Sequence, residues 1–452
     1  MKIKNICCIG AGYVGGPTMA VIASKCPQIN VTVADVNPDR IKAWNGPLDG
    51  LPVYEPGLDE VINKTRGKNL FFSNEISKSI DKSEMIFIAV NTPTKTEGDG
   101  AGMAADLRFV ESTAKDIAKY SRSKKIIIEK STLPVRTAEK VKEILKKHNN
   151  KVDFEILSNP EFLAEGSAIQ DLYKSDRVLI GGDPTKSGQE AVNLLVEIYR
   201  KWIPLEKILT VNVWSSELSK LVSNAMLAQR ISSINSISAL CEKTGAEIDE
   251  VSKAIGMDRR IGKDFLKVSP GFGGSCFQKD ILNLVYLCQF YGLEEVANYW
   301  NQVLEINNFQ RKRIVLKVDS YLIEHEHPKQ VSILGWSFKS NSNDSRESSS
   351  IYITYELLLR GYEINIYDPK VNHDNIFADL ENLNSTAQIQ KLENIRGKIK
   401  IYNSLSKIID DSSIFIVLTE WEQFRDLEKI ENNKIIFDFR NFLKRGENII
   451  RF

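Results

Sequence analysis

Cysteine, histidine, surplus charge and long apolar runs are all scarce in this sequence, and each shortage removes a class of function. The six cysteines, Cys7, Cys8, Cys26, Cys241, Cys276 and Cys288, are thinly spread over 452 residues. They lack the spacing of a disulfide framework or a metal knuckle, so reduced thiols in a cytoplasmic setting are expected. Of the four histidines, the two in "HEH" at 325–327 precede Pro328 and read as a solvated linker, and no metal site is expected. Lys+Arg is 60 and Asp+Glu is 59. That balance gives no electrostatic reason to expect nucleic acid or an anionic membrane, so any anionic ligand must be held by local groups. No apolar run is long enough to span a bilayer. "MKIKNICCIGAGY" leads straight into a strand and a glycine-rich turn, without the layout of a signal peptide. What is there is a globular composition, 42% hydrophobic, with length for two or three domains.

The apolar pattern sets the order of elements. "KNICCIG" is a short buried strand, "PTMAVIASK" a helix, and "NVTVADV", "MIFIAVNTP" and "KIIIEKST" are further strands with helical stretches between them. "FEILSNPEFLAEG" and "DRVLIGG" continue the alternation, and residues 1–211 read as one parallel sheet with helices on both faces. From Ser215, a suitable N-cap, to Gly245, a suitable stop, the spacing becomes helical. A helix of that length is roughly 45 Å long. Residues 212–325 therefore read as a helical middle domain built on one long central helix. After "EHEHPK" the alternation returns, with strands in "QVSILGW", "EINIYDP", "SSIFIVLTEW" and "KIIFDFR" and a helix in "ESSSIYITYELLLRG" closed by Gly361. Residues 326–452 read as a second, smaller doubly wound domain whose "ILGW…YDP" echoes "CIGAG…ADV" in the first. The polar segment 379–398 reads as a surface excursion.

Gly10, Ala11, Gly12, Tyr13, Val14 and Gly15 form a GxGxxG between a strand and a helix. Gly10 permits the tight turn, Gly12 lets the backbone approach a pyrophosphate, and Gly15 lets helix and strand pack closely. The helix start offers free N–H groups to phosphate. Asp35 ends the next strand, where a carboxylate binds both ribose hydroxyls and repels a 2′-phosphate, so NAD is expected rather than NADP. Arg40 lies at the adenine end or on a solvated helix face. Ligands of doubly wound sheets sit outside the carboxyl ends of the strands. "VNTPT", "EKST" and "NPEFLAEG" should then face one cleft. Glu161 and Glu165 share a face if their segment is helical, either as site groups or as a surface pair.

"GFGGSCFQKD", residues 271–280, places Cys276 where glycines end and a helix begins. The unpaired N–H groups of a helix start lower a thiol pKa. Asp280 follows one turn later on the same face and can accept a proton or hold a water. The other reading is a buried cysteine in a helix cap, which suits Cys288. Lys220 and Asn224 sit one turn apart on the long helix, and the lysine either steadies an oxyanion or is solvated.

Together with "ICCIGAGYVGGPT", "YEPGL", "VNTPTKT", "EKSTLPVR", "LSNPEFLAEG", "WSSELSKL", "AQRISSINSISALCE" and "DSRESSSIYI", these stretches resemble the UDP-glucose/GDP-mannose dehydrogenase family, above all its animal-type members, over nearly the whole chain. The resemblance implies two Rossmann-like domains joined by a helical domain whose long helix builds a dimer, or a hexamer as a trimer of dimers. It implies oxidation of UDP-glucose to UDP-glucuronate with two NAD+ per turnover, through a thiohemiacetal and a thioester on Cys276. Lys220 matches the lysine that steadies the developing oxyanions. Asp280 and Thr132 match the groups that hold a water, and Glu161 the acid/base of thioester hydrolysis. Val90, Asn91, Thr92, Ser131, Glu165 and Arg346 match cofactor-side positions. The sugar nucleotide falls on Glu161, Phe162, Leu163, Ala164, Glu165, Lys220, Asn224, Phe265, Lys267, Phe272, Gly273, Cys276, Phe277, Lys339 and Arg440, with Arg260 reaching it across a subunit interface. "EKSTLPVR" is similar to the switch through which UDP-xylose inhibits animal enzymes.

The sequence departs from the family in two places. Phe439 stands where glycine is usual, and "GWSFK" with Trp336 replaces "GFAFK", so added bulk near the uracil end is an expectation to test. The long C-terminal tail of vertebrate members is not expected. The alternatives are a sister enzyme acting on GDP-mannose or UDP-N-acetylmannosamine, a two-electron dehydrogenase of the 6-phosphogluconate type, and a dinucleotide-binding regulatory protein.

Overall fold

A computed structural model describes residues 2–386, 395–431 and 433–452. The chain separates into two compact units, 1–223 and 224–452.

The first unit holds strands β1 (Asn5–Ile9), β2 (Asn30–Ala34), β3 (Leu70–Ser73), β4 (Met85–Ile88), β5 (Lys125–Glu129), β6 (Phe154–Ser158), β7 (Val178–Gly182) and β8 (Ile208–Asn212). Helices α1 (Gly15–Lys25), α2 (Pro38–Asn45), α3 (Leu58–Thr65), α4 (Ile76–Lys82), α5 (Arg108–Tyr120), α6 (Thr137–His148), α7 (Ala168–Tyr173) and α8 (Lys186–Tyr199) connect them. The strand order is β3-β2-β1-β4-β5-β6-β7-β8. The order reverses between β1 and β4, and the turns after these two strands flank the crevice. β1 and β4 are buried along almost their whole length, as continuous apolar runs require in a sheet covered on both faces. The sheet is parallel except at one step. β6 and β7 meet antiparallel, Ser158 opposite Gly181, which departs from the all-parallel expectation. The residues after β6 form an irregular loop, and the short α7 leads from it into β7, which enters the sheet antiparallel to β6. That loop also corrects a second expectation. No helix covers 159–166, and helical spacing does not relate Glu161 to Glu165.

Helix α9 (Val213–Thr244) starts two residues earlier than the expected cap. Asn212, not Ser215, caps it, its Oδ1 accepting the Ser215 N–H at 2.8 Å. Gly245 ends it at φ 77°, as expected. The second unit continues with α10 (Ile248–Gly256), α11 (Phe277–Phe290) and α12 (Glu294–Glu324). It then forms a six-stranded parallel sheet of β9 (Gln330–Leu334), β10 (Glu363–Tyr367), β11 (Ile399–Ile401), β12 (Ile414–Val417), β13 (Ile435–Asp438) and β14 (Ile449–Ile450), in the order β11-β10-β9-β12-β13-β14. Its helices are α13 (Ser349–Leu359), α14 (His373–Thr386) and α15 (Leu405–Asp411). Ile314, Val315, Val318 and Leu322 bury one side of α12 in the core of this sheet. The expected excursion at 379–398 is in part the end of α14 and a 3-10 turn at Ile395–Lys398; residues 387–394 lie outside the described residues. His325 and His327 stack on Tyr321 at the end of α12.

The echo between the two sheets is geometric as well as sequential. Asp35, just past β2, accepts the Ala11 N–H at 2.8 Å, and Asp368, just past β10, accepts the Trp336 N–H at 2.7 Å. In each unit a carboxylate at the end of the second strand ties down the turn after the first. The two departures from the family pattern point into the core. Phe439 is fully buried against Phe437 and Phe452, and Trp336 is fully buried with its Nε1 donating to Asp379 at 2.9 Å. The expected bulk at the uracil end is therefore core bulk at both positions.

Candidate functional site

In the first unit the turn after β1 carries the glycine pattern. Gly10 has φ 110°, and a Cβ there would lie 2.3 Å from the Ala89 carbonyl oxygen at the end of β4. A Cβ on Gly15 would lie 2.0 Å from the Gly10 carbonyl oxygen, so the helix and turn are in the close contact the fingerprint requires. A Cβ on Gly12 would meet nothing within 4 Å, so open space lies beside this turn at the start of α1. Trp44 Nε1 holds the Ala11 carbonyl at 2.9 Å from behind. Asp35 also accepts the Asn37 N–H, and Arg40 reaches it at 3.5 Å. Tyr13 and Val14 are half-buried beside the turn. This cradle fits a dinucleotide: a pyrophosphate at the helix start and a ribose at the carboxylate.

Across the crevice, the loops after β4 and β5 are joined. Ser131 Oγ donates to the Val90 carbonyl at 2.6 Å, and Thr92 Oγ1 to the Thr132 carbonyl at 3.1 Å, while Asn91 is exposed. Glu161 and Lys220, both buried, form an ion pair at 3.3 Å, and Lys220 also lies over the Phe162 ring at 5.3 Å. Arg177 stacks on Phe162 at 3.8 Å. Leu163 packs on the core, Ala164 is exposed, and Glu165 is half-buried. The sequence did not reveal what holds this loop. Glu55, in "YEPGL", accepts the N–H groups of Gly166 and Ala168 at 2.5 and 2.9 Å. Lys130 and Tyr199 both donate to Asn159 Oδ1, at 3.2 and 2.6 Å, behind Glu161. Burial pulls the Lys130 ammonium down to about 8, Glu161 working against that shift and Lys220 with it.

The second unit presents the thiol. Five of the six cysteines are buried, and only Cys276 is partly accessible. It is the N-cap of α11, and its carbonyl accepts the Asp280 N–H at 3.0 Å. Asp280 is buried, and its carboxylate accepts from Asn224 Nδ2 at 2.6 Å and Lys279 Nζ at 2.7 Å. These two donors fix it as an acceptor close to the thiol in sequence and on the same helical turn. The glycine loop before Cys276 is clamped from α12. Asn307 bonds both the N–H and the C=O of Phe272, and Arg311 donates to the carbonyls of Phe272 and Glu347, both at 3.0 Å. Gly273 sits against the Glu347 backbone, where a Cβ would come within 2.5 Å. Phe272 and Phe277 meet edge to face at 5.9 Å. No sequence signal marks Asn307 and Arg311, because polar residues on a long helix look solvated. Lys279 had a signal, a lysine beside the aspartate.

Further basic residues lie elsewhere in this unit. Lys339 is half-buried, Arg440 is paired with Glu420, and Lys267 and Phe265 are exposed, the latter at φ 60°. Arg260 is 83% exposed and bonds Asp258, and Arg346 is exposed and bonds Asp344. No group of three or more metal-ligating side chains occurs among the described residues. No helix there is long and apolar enough to cross a membrane.

Three profiles of the UDP-glucose/GDP-mannose dehydrogenase family match successive stretches: the NAD binding domain at residues 4–203, the central domain at 214–309 and the UDP binding domain at 332–445. The chain is 52% identical to UDP-glucose 6-dehydrogenase of Bos taurus, covering 98% of this chain and 90% of that one. It is 50% identical to UDP-glucose 6-dehydrogenase 1 of Arabidopsis thaliana, with coverage of 97% and 93%. Its fold is similar to that of a UDP-glucose dehydrogenase from Pyrobaculum islandicum, with a TM-score of 0.83 at 28% identity over 99% of this chain and 97% of that one.

Proposed function

The chain belongs to the UDP-glucose/GDP-mannose dehydrogenase family, and from that premise we propose that it oxidises UDP-glucose to UDP-glucuronate in two successive steps at one site. It is an NAD-dependent dehydrogenase. NAD, when bound, accepts the two electrons of each step. The observation that carries the proposal is Cys276, the one partly accessible thiol, heading a helix behind a clamped glycine loop with Asp280 one turn on.

The C6 alcohol loses a hydride and a proton to become an aldehyde. The Cys276 sulfur adds to the aldehyde carbon, the carbonyl pair moves to oxygen, and a thiohemiacetal forms. Loss of a second hydride from C6, with the hydroxyl proton, leaves a thioester. Water adds to it, the C–S bond breaks, and the thiol is regenerated. Covalent attachment thus divides a four-electron oxidation into separate steps. Lys220 is assigned to steadying negative charge on the C6 oxygen. Glu161 is assigned to proton transfer in hydrolysis, and Thr132 and Asp280 to holding the water. The dinucleotide is assigned to residues 10–15, Asp35, Arg40, residues 90–92, Ser131, Glu165 and Arg346. The sugar nucleotide is assigned to residues 161–165, Lys220, Asn224, Phe265, Lys267, Phe272, Gly273, Phe277, Lys339 and Arg440, with Arg260 supplied by a second copy.

The proposed domains are residues 1–211, 212–325 and 326–452. Self-association as a dimer or hexamer, inhibition by UDP-xylose and a cytoplasmic location belong to the same proposal. Met226, Ile237 and Leu240 on α9, exposed despite being apolar, support the first of these. The decisive measurement is the NADH formed per UDP-glucose consumed. Two is expected, with UDP-glucuronate as product; one, with an aldehyde released, would refute the proposal.

A further inference from the structure

The crevice of the six-stranded sheet lies at the reversal of strand order between β9 and β12. Lys339 lies in the loop after β9, Glu420 in the loop after β12, and Arg440 just past β13. The first two loops are joined, Thr419 Oγ1 donating to the Ser337 carbonyl at 2.6 Å. The turn after β13 is wound around one buried carboxylate. Asp438 accepts the N–H groups of Arg440, Phe442 and Leu443 at 3.1, 2.7 and 2.8 Å. The backbone under Arg440 is therefore fixed. Its side chain is held separately, by an ion pair between Nε and the Glu420 carboxylate, with the arginine 12% and the glutamate 25% exposed. Burial pushes the Glu420 carboxyl up, but Arg440 and then Lys267 outweigh it and hold it below the ordinary carboxylate range.

We infer that Glu420 is a positioning residue that holds Arg440 facing the diphosphate of the sugar nucleotide without touching that anion itself. The inference rests on the proposal above that a UDP-sugar binds here. An arginine alone on a mobile side chain turns to solvent. The carboxylate fixes the Arg440 guanidinium before the ligand arrives and removes that ordering cost from binding. The nearest contact is at Nε, the nitrogen closest to the stem. One negative charge against two positive ones leaves the group net cationic. A carboxylate near an anion also repels it, so the effect of removing Glu420 has a sign that decides between the two roles.

The test is Glu420→Gln in the full-length protein, with UDP-glucose and NAD kinetics and UDP binding by calorimetry. KM for UDP-glucose and the dissociation constant for UDP should rise together by about 10-fold, equivalent to about 1.4 kcal/mol. Turnover and KM for NAD should change by less than about 2-fold, and Glu420→Asp should recover part of the loss. Unchanged or tighter UDP binding would overturn the inference. So would an equal loss of turnover and of thermal stability in both variants, which would mark a structural role. The two readings fail separately. If wild-type protein binds no UDP, the UDP-sugar proposal falls; if it binds UDP and Glu420→Gln binds equally well, only the role of Glu420 falls.

Discussion

Cys276 was legible because its chemistry is local: three glycines, a helix start and an acid one turn later all lie within ten residues. Replacing its sulfur with oxygen leaves the helix start in place and removes the proposed nucleophile. Cys276→Ser should lower steady-state NADH formation from UDP-glucose by about 1,000-fold or more, because serine without an activating base is a weak nucleophile. The melting temperature and NAD binding should be unchanged. Near-normal turnover in a steady-state assay would refute the covalent route. Lys130, Asn307, Arg311 and Glu420 were not legible. Each is a polar residue in a stretch that reads as helix or strand end, and only burial against partners far away in sequence distinguishes it from a solvated side chain.

At the scale of elements, the joint between β5 and α6 carries a pair of carboxyls that no sequence pattern announced. Glu217 accepts the N–H groups of Arg136 and Ala138 at 2.7 and 2.8 Å, capping α6 from α9. Glu129, at the end of β5, is buried with no donor to either oxygen, and it faces Glu217. Glu139 adds a further negative charge beside Glu217, and Arg136 pairs with Glu139. Burial pushes both carboxyls up, Glu129 furthest, with Glu217 adding to the shift. Glu217 already accepts two backbone bonds, so the proton of the pair is assigned to Glu129. The folded protein then keeps a proton that the unfolded chain releases above the ordinary value of 4.5. The contribution of this pair to stability falls as pH rises from there, because it binds more protons in the folded state than in the unfolded one. Glu129→Gln supplies a permanent donor. Its stability, measured by chemical denaturation from pH 4.5 to neutrality, should fall less steeply than that of wild type by about the slope of one proton. Parallel curves would show that Glu129 is ionised in the folded state.

At the scale of the whole molecule, the proposed assembly is tested through Arg260, which is assigned above to the site of a second copy. Arg260 is 83% exposed and, among the described residues, bonds Asp258 two residues away, which fits an arginine that waits for a neighbour. Arg260→Ala should raise KM for UDP-glucose strongly and leave the assembly folded. Mixed after dissociation with a Cys276→Ser chain, it should regain roughly a quarter of wild-type activity. Half of randomly reassembled dimers are mixed, and each has one site with both groups. If mixed dimers form and no activity returns, Arg260 acts within its own chain.

The sequence alone determined the alternation of strands and helices, the long α9 with its stop at Gly245, the glycine turn and the carboxylate that closes it. All of these depend on hydrophobic period, backbone freedom and spacing within about 25 residues, which a chain carries in one dimension. The matching turns at Asp35 and Asp368 belong here too, since strand, turn, helix, strand and aspartate recur in the same order. Only the tertiary structure decided the rest. It put Phe439 and Trp336 into the core, made Asn212 the cap of α9, set β7 antiparallel to β6, brought Glu129 beside Glu217, and joined Glu55 to Gly166 and Arg311 to Phe272. Which face a side chain takes depends on what the fold brings against it. A buried polar group finds its partners wherever the chain returns, at separations that local periodicity does not encode.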